Sequence, residues 1–449
     1  MTTVSKASVA AMLSVALAAA TALSATPAIA CAWVATWQAS PQATWGDDFL
    51  FPANVPPVLY DQTVRQVARV SLGGQRLRIV LSNAYGAEPI VVGKTTIARP
   101  IGSGAVAVDS LRSLTFGGKN EATLLPGATL VSDPVDLDVP ALAQVAVSIH
   151  LPNATAVSTF HWDGRQTAWI APGDQTASAA PAKAGDALQN TTARPLLTGI
   201  QVETATVARA VVVLGDSITD GASASLDRDR RWPDFLAARL AAHGVAVVNA
   251  GISGARLLSD GMGVNALARL ERDVLAQPGA SSVIVLLGIN DIAWPGTVFA
   301  PNAARPTLDA LTAGYRQLVA QAHARGVRVI GATLTPFEGA LPGTPLSNYY
   351  QRDKEVLRQR VNDWIRGSGV FDAVIDFDAA LRDPEHPTRM AARFDSGDRL
   401  HPGDEGNRAM AQAVDLEAVL AQVGVAPGDT SKILRERSIM LPGPGETRR

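Results

Sequence analysis

Two hydrophobic rhythms divide the chain. From about 32 to 201, short apolar runs recur with turn residues between them. In the run 67–72, Ala68, Val70 and Leu72 alternate with Arg69 and Ser71, the period of a strand with one buried face. The run 77–82 follows after Gly73-Gly74, and the glycine pair reads as part of a hairpin turn. Further strands are predicted over 90–97, 129–131 and 144–151, and no stretch here carries the 3.6-residue period of a helix. The pattern predicts an all-β sandwich, jelly-roll-like in type.

A stretch rich in Ala, Gly, Ser and Pro, 173–190, reads as the connection between two domains. Beyond it, apolar runs of strand length alternate with longer amphipathic segments, which predicts β-α units around a parallel sheet of about five strands. The predicted strands are 210–214, 245–249, 283–287, 327–334 and 373–377. Their Val, Ile and Leu run on with little alternation, as strands covered by helices on both faces require. Helices are expected to start near Trp232, Val264, Thr307, Tyr349 and Gly403. The expected fold is thus a β-sandwich over 32–201, a three-layer α/β/α domain of flavodoxin-like type over 207–424, and a loosely held tail over 425–449.

The first thirty residues stand apart. Lys6 precedes an Ala-rich apolar run that ends in Ala28-Ile29-Ala30, the plan of a secretory signal peptide over 1–30. The run is too short and too weakly apolar for a spanning helix, so no integral membrane segment is expected once the signal is removed. Secretion or periplasmic location is the expectation. Cys31, the single cysteine, excludes an intrachain disulfide. Its place just past the predicted cut also fits a lipid anchor, although Ala28 stands where a lipoprotein signal usually carries Leu.

Composition narrows the partners. Of 449 residues, 47% are hydrophobic and 18% charged, with a net charge of -2, so no basic footprint for nucleic acid exists.

Chemistry gathers at predicted strand ends. The strand 210–214 runs into Gly215-Asp216-Ser217, which puts a hydroxyl at the carboxyl edge of the sheet, where open α/β sheets bind ligands. Asn249-Ala250-Gly251 ends the second strand, and Gly251 can offer a backbone N–H. Gly288-Ile289-Asn290-Asp291 ends the third and brings a side-chain amide. Asp398-Arg399-Leu400-His401 sets a carboxylate three residues before an imidazole, close enough to share one side of a turn. Taken singly, each has an ordinary reading: a helix cap, a tight turn, a loop amide, a solvated pair. Together they supply the nucleophile, base, orienter and oxyanion donors of acyl transfer.

The ordered blocks Gly-Asp-Ser, Gly, Gly-x-Asn-Asp and Asp-x-x-His resemble those of SGNH (GDSL-like) hydrolases, over roughly 210–415. Arg231-Trp232-Pro233-Asp234 and the stretch 373–383 are similar to a bacterial arylesterase-like or xylanase-associated branch, some members of which carry an N-terminal β domain. The resemblance implies Ser217 as nucleophile, His401 and Asp398 completing a triad, and Ser217, Gly251 and Asn290 as the oxyanion hole. It implies a serine esterase with no metal or organic cofactor. With His401 as base, activity is expected to rise with pH as the ring loses its proton.

The expected substrate is a carboxylic ester, with short acyl groups on polysaccharide or aryl and alkyl esters foremost. A lipase or polyester-type esterase would carry the same motifs. A non-catalytic polysaccharide-binding protein is the alternative of another class, with Trp33, Trp37, Trp45 and Trp162 stacking on sugar rings or, more simply, packing inside. Trp294 and the loop to Arg305, directly after Asn290, are expected to shape the acyl pocket. Asp395 is a rival for the triad acid, but Asp398 has the better reach. His150, His161, His243, His323 and His386 have no ligand spacing, so each reads as structural or solvated, and no metal site is expected. Gly93-Lys94-Thr95 resembles a phosphate loop only in part and reads as strand. No Gly-x-Ser-x-Gly elbow occurs, which argues against the α/β-hydrolase fold.

Overall fold

A computed structural model describes residues 32–181, 188–205 and 208–421. The expected leader 1–30, Cys31 and the expected tail 425–449 lie outside the described residues.

The N-terminal region is built of antiparallel strands in two main sheets. One runs in the order Ala32–Gln38, Leu197–Thr204, Gly74–Ser82, Thr129–Val131, with Val135–Val139 also on Gly74–Ser82. The other runs Arg112–Leu114, Thr95–Ala98, Gln144–Leu151, Gln62–Arg69, Ala168–Pro172, Gln189–Thr191. Period-two patterning does the sorting. Leu77, Ile79 and Leu81 from the first sheet, and Val145, Val147 and Ile149 from the second, are buried in one shared apolar cluster.

Two expectations fail here. Gly73-Gly74 closes no hairpin: Gln62–Arg69 and Gly74–Ser82 belong to different sheets. The chain crosses between sheets at Gly73, where a Cβ would lie 2.3 Å from the Val139 carbonyl oxygen and 2.5 Å from the Ala141 nitrogen. Glycine serves close passage there, which is the other reason for a glycine between two strands. The stretch 173–190 does not join domains either. It links Ala168–Pro172 to Gln189–Thr191, which pair antiparallel in one sheet. The passage into the second region falls between Leu197–Thr204 and Arg209–Gly215.

The C-terminal region carries a parallel sheet of 5 strands, in the order Val245–Gly251, Arg209–Gly215, Ala280–Leu286, Arg328–Ala332, Ala373–Ile375. Every pairing is parallel. That order, second-first-third-fourth-fifth, is the flavodoxin-like one, and its switch point lies at the carboxyl end of Arg209–Gly215. Val212, Val213 and Leu214 are wholly buried, in keeping with helices on both faces. One helical group is Trp232–Leu240, Phe377–Leu381 and Asp404–Ala413; another is Ala266–Leu270, Leu308–Ala324 and Arg352–Gly367. Among the described residues, no helix is long and apolar enough to cross a membrane.

The two regions are packed together. Ala35 N–H donates to the Pro278 carbonyl at 2.9 Å, Val247 N–H to Ser71 Oγ at 3.0 Å, and Gln42 Nε2 to the Met262 carbonyl at 2.7 Å. Ala35 is buried in the same apolar cluster as the parallel sheet.

Candidate active site

The strand Arg209–Gly215 ends in a one-turn helix, Ser217–Asp220. Asp216 caps it, its Oδ1 accepting the Ile218 N–H at 3.0 Å. The capping task therefore falls to Asp216, and the Ser217 hydroxyl is left for other work.

That hydroxyl lies 2.8 Å from His401 Nε2, although 184 positions separate the two residues. His401 Nδ1 lies 2.6 Å from Asp398 Oδ2. The carboxylate takes the ring hydrogen at Nδ1, so the lone pair at Nε2 faces the serine. Asp398 Oδ1 also accepts the N–H groups of Leu400 and His401, at 2.9 and 2.8 Å, which fixes the turn that presents both side chains. Hydrogen bonds from His401 outweigh partial burial and hold the Asp398 carboxyl down at about 2. Asp395 faces elsewhere: its Oδ1 accepts the N–H groups of Gly397 and Arg399.

Asn290 comes from the helix Ile289–Ala293, directly after the third strand. Its Nδ2 donates to the Ala255 carbonyl at 3.1 Å, and its Oδ1 accepts from Tyr349 Oη at 2.7 Å. The amide orientation is thereby set, with one Nδ2 hydrogen still to place. Asp291 beside it accepts the N–H groups of Leu257 and Leu258 at 2.7 and 2.9 Å. Burial pushes the Asp291 carboxyl up to about 6.

Gly251 is not where the oxyanion-hole expectation needs it. Its N–H is spent on Asn249 Oδ1 at 2.8 Å, and it does not line the cleft. A Cβ there would sit 2.4 Å from the Asp220 nitrogen, so this glycine serves contact between the second strand and the nucleophile turn. Gly254, three residues on, lines the cleft together with Ser217 and Asn290. The N–H groups of Ser217 and Gly254 have no partner among the described residues. The backbone at Gly254 has φ +72, and a Cβ would lie 2.8 Å from the Trp294 ring. Two glycines three apart look alike in sequence; only the path of the turn separates them.

Ser217 and His401 open onto a cleft of about 450 Å³. Trp294 and Phe299 line it, stacked with centroids 4.6 Å apart. Arg305 lies outside the lining and bonds Gln351 and Asp353 instead. Leu341, Leu346, Tyr349 and Leu400 continue the wall. Tyr349 falls just before the helix Arg352–Gly367, which starts three residues later than expected and so frees the ring to turn inward.

Leu50, Phe51 and Trp162 of the N-terminal region complete the cleft; of the three, only Trp162 stands out in the sequence, as a ring for stacking or packing. Trp45 Nε1 donates to the Phe51 carbonyl at 2.6 Å and Trp162 Nε1 to that of Pro52 at 2.9 Å, pinning the segment. Its rings meet those of the other region, with Phe49 and Phe51 each 5.5 Å from Phe299.

Among the other histidines, His150 pairs with Asp61 and His323 with Asp372. His161 is the one whose structural role reaches the serine. It is buried, 3% exposed, and its Nε2 lies 2.9 Å from Asp220 Oδ1, in the nucleophile turn. No group of three or more His, Cys, Asp or Glu suited to a metal ion occurs among the described residues.

Residues 211–414 match the family model described as GDSL-like Lipase/Acylhydrolase. Among solved structures, the chain is similar to the aryl esterase of M. smegmatis, with 19% identity over 46% of this chain and 96% of that one, TM-score 0.37. It is also similar to a variant of an acetyl xylan esterase from Geobacillus stearothermophilus, with 25% identity over 48% and 98%, TM-score 0.35. A GDSL-like lipase from Bacteroides thetaiotaomicron shares 19% identity over 47% and 88%, TM-score 0.35. No curated protein matches. The α/β region is a domain of the GDSL-like lipase/acylhydrolase family. The protein is a carboxylic ester hydrolase.

Proposed function

We propose that the protein is a secreted serine esterase in which Ser217 attacks the ester carbonyl, His401 takes its proton, and Asp398 orients and balances the imidazolium. The observation that carries the reading is the chain of contacts Ser217 Oγ to His401 Nε2 to Asp398, at 2.8 and 2.6 Å, at the base of the cleft. Attack forms a C–O bond to Ser217 and moves the carbonyl electron pair onto oxygen. The second Nδ2 hydrogen of Asn290 and the N–H groups of Ser217 and Gly254 are the donors for that oxyanion. Collapse expels the alcohol, which takes the proton from His401, and leaves an acyl group on Ser217. Water, deprotonated by His401, then releases the acid and restores the serine.

The lining favours an apolar or aromatic group on the ester over a sugar. Phe51, Trp162, Trp294, Phe299, Leu341 and Leu346 offer ring and hydrocarbon surface, and each such contact stabilises an apolar group by burial. Alkyl and aryl esters are therefore the proposed substrates, ahead of acetyl groups on polysaccharide. Trp45 and Trp162 also fit poorly as sugar platforms, since their indole N–H groups are tied to Phe51 and Pro52 and their rings pack on Phe49 and Phe51. Export rests on the leader plan of Lys6 and Ala28-Ile29-Ala30.

The test is a panel of p-nitrophenyl esters from acetate to octanoate, with phenyl acetate and acetylated xylan beside them. Hydrolysis favouring the longer acyl or aryl members, and lost in Ser217→Ala, supports the reading. Activity on acetylated xylan alone would overturn the substrate class, and full activity in Ser217→Ala would overturn the mechanism.

A further inference from the structure

The N-terminal region does more than wall the cleft; through His161 it reaches the back of the catalytic turn. His161 is held on both sides. Its Nδ1 lies 3.0 Å from the Ser40 carbonyl oxygen and its Nε2 lies 2.9 Å from Asp220 Oδ1. A carbonyl can only accept, so Nδ1 carries hydrogen, and the Nε2 contact holds a second shared with the carboxylate. Neither residue is wet: His161 is 3% exposed and Asp220 2%. Burial works against the charged ring, yet the Asp220 charge and hydrogen bond lift His161 above the usual histidine value.

The far oxygen of Asp220 is equally committed. Asp220 Oδ2 accepts the Ser253 N–H at 2.9 Å and the Ser253 hydroxyl at 2.8 Å. Ser253 immediately precedes Gly254, whose unpartnered N–H stands at the cleft beside Ser217. A continuous line therefore runs from Ser40 through His161, Asp220 and Ser253 to Gly254. Asp220 is also the last residue of the helix that Ser217 begins, so the same carboxylate couples the nucleophile to the turn carrying the backbone donor.

We propose that His161 is a positioning residue for the esterase reaction: its hydrogen bond to Asp220 fixes the Ser253-Gly254 turn against Ser217, so the N-terminal region sets the geometry of oxyanion stabilisation. The proposal rests on the serine-esterase reading. It assigns the β region a part in turnover distinct from its wall of aromatic rings. A misplaced oxyanion donor loses transition-state contact while ground-state binding in the cleft is retained, so the loss falls on kcat.

The experiment compares His161→Leu with Asp220→Asn in the full chain on a p-nitrophenyl ester. His161→Leu breaks the link, and kcat is expected to fall about 10- to 100-fold, up to the lower end of the roughly 10² to 10³ for outright loss of one oxyanion donor, with KM changed less than about threefold. Asp220→Asn keeps the link in neutral form. Its amide N–H donates to the lone pair of a neutral His161, while its oxygen still accepts from Ser253. This variant is expected to hold kcat within about threefold of wild type, a difference that loss of a structural ion pair would not give. The affinity of an alkyl boronic acid, which forms a tetrahedral anion on a serine, should follow kcat across the variants. If His161→Leu strands the buried Asp220 charge and fails to fold, the double variant with Asp220→Asn removes that charge and should show the same fall. Folded His161→Leu, or the folded double variant, with wild-type kcat overturns the proposal, as does Asp220→Asn falling as far as His161→Leu. Absence of hydrolysis in the wild type, by contrast, would refute the esterase reading itself.

Discussion

Tyr349 Oη donates to Asn290 Oδ1 at 2.7 Å, and that contact decides which way the amide faces. With the oxygen engaged, Nδ2 turns to the Ala255 carbonyl and the cleft. Tyr349 is 2% exposed, so no bulk water replaces its hydroxyl. Tyr349→Phe should lower kcat about 10-fold, part of the roughly 10² to 10³ of a whole oxyanion donor, with KM nearly unchanged. Steady-state kinetics on one p-nitrophenyl ester checks this; a wild-type kcat would mean the amide is held without the tyrosine.

Trp294 carries the acyl-pocket expectation. It is buried at 4% exposure between the Asn290 helix and the Phe299 ring. Trp294→Ala opens the wall and removes apolar surface, worth about 1.5 to 3 kcal/mol for a large side chain. The ratio of kcat/KM for octanoate over acetate is expected to fall at least about 10-fold. An unchanged ratio would remove Trp294 from the acyl site.

How much of this could be read beforehand follows from the range of the contacts. The parallel sheet was legible because each strand is a local apolar run, and the blocks holding Ser217 and Asn290 directly follow two of these runs. Val245–Gly251 and Ala280–Leu286 fall within a few residues of their expected bounds. Asp398 and His401 follow no strand; their signal was the spacing of three residues, which lets the carboxylate and the imidazole meet in one turn. Gly251 was confused with Gly254 because a strand-end glycine has two uses, close packing or an open N–H, and sequence does not separate them. The hairpin at Gly73-Gly74 failed because the local pattern is identical whether two strands pair or pass into different sheets. His161, Tyr349 and Phe51 reach the site through tertiary contacts alone, with no spacing to betray them.

Asp216 offers a stability test. Burial pushes its carboxyl up to about 7, although the Ile218 N–H and His401 work to lower it, and Oδ2 has no hydrogen-bond partner among the described residues. A carboxyl raised in the folded state favours folding fully below its unfolded value, near 3.9, and that contribution is lost as pH rises through about 7. Asp216→Asn keeps an oxygen for Ile218 and removes the titration. Between pH 4 and 8, wild-type unfolding free energy should fall by roughly 2 to 4 kcal/mol more than that of the variant. Urea denaturation at several pH values measures it; parallel curves would count against a buried, neutral Asp216.

The leader makes a separate prediction. On the proposed export, cleavage after Ala30 is expected to leave Cys31 as the first residue. N-terminal sequencing with intact mass should find that start, and an added diacylglyceryl mass would identify the lipid-anchored form. Recovery of the uncut chain from the cytoplasm would contradict export.

The most direct measurement treats the folded protein with an alkyl fluorophosphonate and maps the adduct by peptide mass spectrometry. One phosphonyl group on Ser217 is expected, absent in Ser217→Ala and slowed by about 10² or more in His401→Ala, because the hydroxyl then lacks its base. Folded wild-type protein that stays unlabelled, or labelling as fast without His401 as with it, would contradict the account.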